Sequence, residues 1–87
     1  MMKIETFHQR LQAGKGVGYK YQTEAIIGLV EIWRHQDKFV LTWEEFAEDD
    51  YYNEERYTRD EVHHFAEIEG VLEFLRTNKV NPRVFRP

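Results

Sequence analysis

"IIGLVEIWRH" (residues 26–35) and "KFVLTWEEF" (residues 38–46) flank a bare Gln36-Asp37, and how these two runs pair decides the fold. Both are rich in β-branched and aromatic residues, and both alternate in the manner of half-buried strands. With Gln36 and Asp37 as the turn, Arg34 faces Phe39, Ile32 faces Leu41 and Val30 faces Trp43. Successive strand residues point to opposite faces, so this register gathers Val30, Ile32, Phe39, Leu41 and Trp43 on one side. Glu31, Thr42 and Glu44 fall on the other. Such an antiparallel hairpin is expected to be covered by helices on its apolar face only. Trp33 and Val40 interrupt the polar face and are expected to form a small exposed aromatic patch there. Gln-Asp is not preferred two-residue turn chemistry, which leaves a slightly longer loop as the alternative.

On the N-terminal side, "MKIETFHQRLQAG" places Ile4, Phe7 and Leu11 on one helical face, with Gly14 as C-terminal cap. "GKGVGYKYQ" then changes to period two, with Val17, Tyr19 and Tyr21 on one side of a short strand. On the C-terminal side, Ile68, Val71, Leu72 and Leu75 recur at i, i+3, i+4 and i+7, and Asn78 caps a helix.

Between them, "YTRDEVHHF" (57–65) has two readings. Thr58 with Glu61 makes a capping box, and Tyr57 with Val62 the matching hydrophobic staple, which would open one long helix. The other reading is a fourth strand through Val62 and Phe65 that closes a meander, followed by a separate helix. The strand is preferred, because more sheet suits a small chain and paired histidines beside a β-branched residue fit it. The expected fold is therefore α+β: an N-terminal helix, a three- to four-stranded antiparallel meander, and a C-terminal helix packed on one sheet face, all in one domain spanning residues 1–87.

Eighty-seven residues bury a small core, roughly 60–65% of the surface the unfolded chain exposes. There is no cysteine, which excludes disulfides, thiolate metal sites and cysteine nucleophiles. The longest apolar patch, "AIIGLV", is too short to span a bilayer, and a cytoplasmic setting without membrane contact is expected.

The net charge of −4 conceals a partition. Residues 44–61 carry nine carboxylates against Arg56 and Arg59, a net −7, while ten Lys/Arg against seven acids elsewhere give +3. A phosphate backbone would be repelled by that segment, so direct nucleic-acid binding is not expected.

Catalytic chemistry finds little support in the residues. "GKGVG" lacks the strand–loop–helix setting and the spacing of a phosphate loop, and reads as a helix cap and connection. The chain has no serine, and none of its threonines sits in a nucleophile elbow. His63 and His64 lie beside Glu61 and Glu67, but adjacent side chains on a strand point apart and share one ion poorly. "EDDYYNEE" lacks the alternate acids, central glycine and closing glutamate of a calcium loop. No enzyme activity, metal site or cofactor is expected.

The acidic segment remains. Tyr51, Tyr52 and Tyr57 are amphipathic aromatics of the kind enriched at interface hot spots, and solvation alone does not require three of them within seven residues. Glu48, Asp49, Asp50, Glu54 and Glu55 around them would steer a basic partner. The expectation is a non-enzymatic protein-binding module, of the inhibitor or immunity type, directed at a basic protein such as a toxin, nuclease or nucleic-acid-binding protein. The alternative is a small structural or oligomeric subunit, from monomer to weak homo-oligomer, associating through Trp33, Val40 and Val84–Phe85. A weaker alternative is a metal-dependent hydrolase or metal carrier using His63 and His64. The acidic run as a plain solvated loop is the bland reading beside all three.

Overall fold

A computed structural model describes all 87 residues. In chain order they form helix α1 (Ile4–Gln12), strands β1 (Val17–Gln22), β2 (Ile27–His35), β3 (Lys38–Phe46) and β4 (Arg59–Phe65), and helix α2 (Ile68–Thr77). The strands make one antiparallel sheet in the order β1-β2-β3-β4, the meander read from the sequence. No helix is long and apolar enough to cross a membrane.

The central hairpin has the expected register: Arg34 pairs with Phe39, Ile32 with Leu41 and Val30 with Trp43. His35 pairs with Lys38, so the turn is two residues after all. Gln36 accepts the awkward geometry, with φ of 59°, and is the only residue of the turn at positive φ. That is the pattern of a type II′ turn, whose twist matches the strands and whose first central position favours glycine.

Both helices cover the same sheet face. Phe7 and Leu11 of α1 and Ile68, Val71 and Leu75 of α2 form one buried cluster with Val17, Val30, Ile32, Phe39, Leu41 and Trp43. Ile4 departs from the sequence reading: one turn before the buried Phe7, it is 39% exposed. Each helix ends in a Schellman arrangement, which satisfies its last carbonyls. In α1, Gly14 (φ 79°) bonds Leu11 O and Lys15 N bonds Arg10 O. In α2 the left-handed position falls on Lys79 (φ 60°), while the neighbouring Asn78 donates from Nδ2 to Phe74 O.

The segment 59–65 is a strand. Thr58 does not cap a helix; its backbone N–H and its Oγ1–H both donate to Glu45 O, at 2.8 and 3.1 Å. The C-terminal tail folds back: Phe85 is 1% exposed in the core, and Arg86 exchanges two backbone hydrogen bonds with Gly18 on the outer edge of β1.

The helix-free face differs from expectation at Val40. It is buried, and Trp33 is half-buried, so the two make no exposed aromatic patch. The cross-strand register explains this, since Val40 lies between Trp33 on β2 and His64 on β4, both on its own face.

Candidate functional site

β3 ends with Phe46 on the helix-free face, by the same parity that places Val40, Thr42 and Glu44 there. The chain leaves the sheet at Ala47 and returns at Thr58. Between them it makes two short 3-10 turns, at Glu48–Asp50 and Glu54–Arg56. Backbone bonds Asp50 N to Ala47 O, Asn53 N to Asp50 O, Arg56 N to Asn53 O and Tyr57 N to Glu54 O hold the loop in shape. A connection of this kind is ordered before a ligand arrives, which lowers the entropic cost of binding.

The tyrosines fold back over the strand end. Tyr57 stacks on Phe46 with ring centroids 4.7 Å apart, and Tyr51 meets Phe46 edge-on at 5.5 Å. The Tyr57 hydroxyl donates to Tyr51 O at 2.8 Å, tying the end of the second 3-10 turn to the end of the first. Tyr51 is 53% exposed, and Tyr52 packs its ring edge-on against Tyr51 while remaining 94% exposed. Leu29, Glu44, Phe46, Tyr51, Tyr52, Asn53, Glu54, Glu55 and Tyr57 thus line an open depression of about 690 Å³.

The eight residues singled out from the sequence divide around this depression. Tyr51, Tyr52, Glu54, Glu55 and Tyr57 line it, whereas Glu48, Asp49 and Asp50 do not. Asp50, whose own side chain is largely covered, has turned toward the exposed Arg56, 3.6 Å away. The sequence reading missed the floor, which is Leu29, Glu44 and Phe46. Phe46 carried a signal: a large apolar residue on the parity of the uncovered face needs some cover, and the tyrosines follow it directly.

Glu44 gives the depression its electrostatic character. Burial, and then the negative charges of Asp60, Glu31 and Glu54, hold its carboxyl above the usual carboxylate range. No arginine, lysine or histidine lies within ion-pair distance of Glu44, Glu54 or Glu55. Tyr57 is raised as well, by desolvation and then by Glu44 and Glu54. The site therefore concentrates negative charge beside aromatic faces, a combination that attracts a cationic group twice over.

The helix-covered face holds a second polar group, whose members pair mainly with one another. The Tyr21 hydroxyl donates to Glu45 Oε2 and accepts from Trp43 Nε1 at 2.9 Å. Arg59 lies over the Trp43 ring, 3.6 Å from its centroid, and pairs with Glu61 at 2.8 Å. Glu61 also accepts from His63 Nε2 at 2.8 Å, and these partners hold its carboxyl below the usual range, the His63 hydrogen bond foremost.

His63 and His64 point to opposite faces of the sheet. His63 packs on Phe74, with ring centroids 4.5 Å apart, and His64 stands on the helix-free side. No group of three or more His, Asp or Glu gathers as a metal site would. Of the tail residues named for self-association, Phe85 is buried in the core and Val84 is half-buried.

Compared with known proteins, the chain matches no family model, and no curated protein or solved structure matches it significantly.

Proposed function

We propose that this chain is a non-enzymatic protein-binding module whose tyrosine-walled depression receives a basic segment of a partner protein. The observation that carries this reading is Glu44, held on the floor of an aromatic depression among like charges with no cation of its own. A guanidinium or ammonium group entering there would relieve the repulsion and lie against the Tyr51, Tyr52 or Tyr57 ring. Glu48 and Asp49, exposed outside the depression, act at longer range and raise the association rate. A toxin, nuclease or nucleic-acid-binding protein offers the required positive surface, which makes an inhibitor or immunity-type role the specific form of the proposal.

NMR titration of the isotopically labelled chain tests it, with a short arginine-rich peptide and a glutamate-rich peptide of equal length as probes. Shifts at Leu29, Glu44, Phe46 and Tyr51–Tyr57 are expected with the basic peptide alone, weakening as salt rises. Equal responses to both peptides, or a response centred elsewhere, would overturn the reading. So would undiminished binding by the Tyr52→Ala variant.

A further inference from the structure

The two edges of the sheet are treated differently. β1 is partly covered, because Arg86 takes up the outward N–H and C=O of Gly18. β4 lies at the opposite edge with no strand beyond it. Its seven residues, "RDEVHHF", contain none of the proline or lysine with which natural sheets blunt an edge.

Which backbone groups face that open edge follows from the turn. In a two-residue hairpin the flanking pair, His35 and Lys38, is hydrogen-bonded. On β3 the direction then alternates, so Phe39, Leu41, Trp43 and Glu45 aim their N–H and C=O at β4. They meet Phe65, His63, Glu61 and Arg59. Asp60, Val62 and His64 are left with both backbone groups pointing outward from the edge. The side chains of these three are also exposed on the helix-free face, Val62 by 60%.

The strand is self-complementary about its centre. Turned antiparallel to a copy of itself about Val62, it sets Asp60 opposite His64, Glu61 opposite His63 and Val62 opposite Val62. We infer that two copies of this chain associate edge to edge through β4, forming a continuous eight-stranded antiparallel sheet about a two-fold axis at Val62. The ladder has six hydrogen bonds: Val62 with its counterpart, and Asp60 with His64 in both directions. On the helix-free face each Asp60 carboxylate accepts from an imidazole of the other copy. On the helix face the Glu61–His63 pair within each chain becomes a ring of four alternating groups.

The hydrogen-bonding phase admits only registers that shift in steps of two, and the neighbouring ones lose this match. Centring on Glu61 brings two Glu61 carboxylates together, and centring on His63 pairs imidazole with imidazole and Asp60 with Ala66. Like charges directly opposite one another disfavour strand pairing. The two-fold also places both aromatic depressions on one face of the joined sheet, so the dimer is bivalent for any ligand they take.

Sedimentation equilibrium over a concentration series tests the inference, with circular dichroism confirming that each variant folds. The native chain is expected to shift toward twice its mass as concentration rises. Val62→Lys sets two ammonium groups opposite each other and is expected to weaken association about tenfold or more. His64→Asp, which opposes two carboxylates, is expected to act likewise. Adding Asp60→His to His64→Asp exchanges the partners and should restore association. Val62→Pro removes only an N–H that faces the open edge, so it should abolish dimerisation while leaving the β3–β4 ladder intact. A native chain that keeps the mass of one copy throughout would overturn the inference. A dimer indifferent to Val62→Lys and His64→Asp would overturn it equally.

Discussion

The ring of Tyr21 lies across Gly28, so close that a Cβ on residue 28 would fall 2.0 Å from Tyr21 Cζ. The two residues are cross-strand partners, and the missing side chain lets the ring lean over β2 toward β3. There its hydroxyl joins Glu45 to the Trp43 indole. Glycine weakens a strand, and here the weakness is offset by the aromatic ring that covers it. Gly28→Ala should displace the ring and break both hydrogen bonds, at a cost of about 1–3 kcal/mol by chemical denaturation. In a Tyr21→Ala background the same substitution should be neutral or stabilising, since the space is then free. Equal costs in the two backgrounds would show that Gly28 is required for another reason.

Tyr21 should also identify itself by its titration. Burial, and then the hydrogen bond to Glu45, push its hydroxyl from the ordinary 10.0 up to about 12. A raised folded pKa contributes stability that is complete below the unfolded value and is lost as pH rises through the folded one. Stability should therefore fall between pH 10 and about 12, and Tyr21→Phe should remove that part of the slope. Ultraviolet difference titration should show a late tyrosinate that disappears in Gly28→Ala.

Two left-handed positions are occupied by residues that carry a Cβ, and both should improve with glycine. Gln36 opens the β2–β3 turn at φ 59°, and Lys79 terminates α2 at φ 60°. Neither side chain donates or accepts a hydrogen bond that glycine would forfeit. Gln36→Gly and Lys79→Gly should each stabilise the chain by about 0.5–1 kcal/mol. Thermal melts of the single and double variants check this, and the effects should add because the two positions lie in separate elements.

Much of this architecture is legible in the residues, and the reasons are local. The β2–β3 register follows from side-chain parity and a two-residue spacing, which a slip of one would invert. The period-two pattern of residues 59–65 outweighed the apparent capping box at Thr58, whose hydroxyl instead bonds back to Glu45. The site was legible in part. Composition picks out Tyr51, Tyr52, Tyr57, Glu54 and Glu55, but only the return of the loop over Phe46 makes Leu29 and Glu44 its floor. Charge counting treats Glu48 and Asp49 as equal to Glu54, whereas the two 3-10 turns separate them. The Tyr21–Glu45–Trp43 link depends on a bare Gly28, and nothing in a one-dimensional reading favours it over a plain strand glycine.

On the acid side, Glu61 sets the expected behaviour. Its hydrogen bonds from His63 and Arg59 depress its folded pKa. That stability is present above the unfolded carboxylate value and disappears as pH falls through the lowered folded one. Its side chain is partly exposed, so the contribution is small, within about 1 kcal/mol. Glu61→Gln should flatten the acid limb of the stability profile. An acid limb unchanged in the variant would assign the effect to other carboxylates.

Glu44 makes the opposite prediction, and it separates a binding site from a merely solvated loop. Its pKa is raised by burial and by Asp60, Glu31 and Glu54, so its ionised form is a burden on the folded state. Stability tied to it is present at low pH and is lost as pH rises from the unfolded carboxylate value through the raised folded one. Glu44→Gln keeps the shape, removes the charge and should raise stability at neutral pH by a fraction of about 1 kcal/mol. A residue retained against stability is typical of a site kept for function. The same variant should therefore bind an arginine-rich peptide several-fold more weakly and lose part of the salt dependence. A gain in stability with unchanged peptide affinity would place the cationic contact elsewhere on the loop, and a loss of stability would mean that Glu44 has a cation partner in solution.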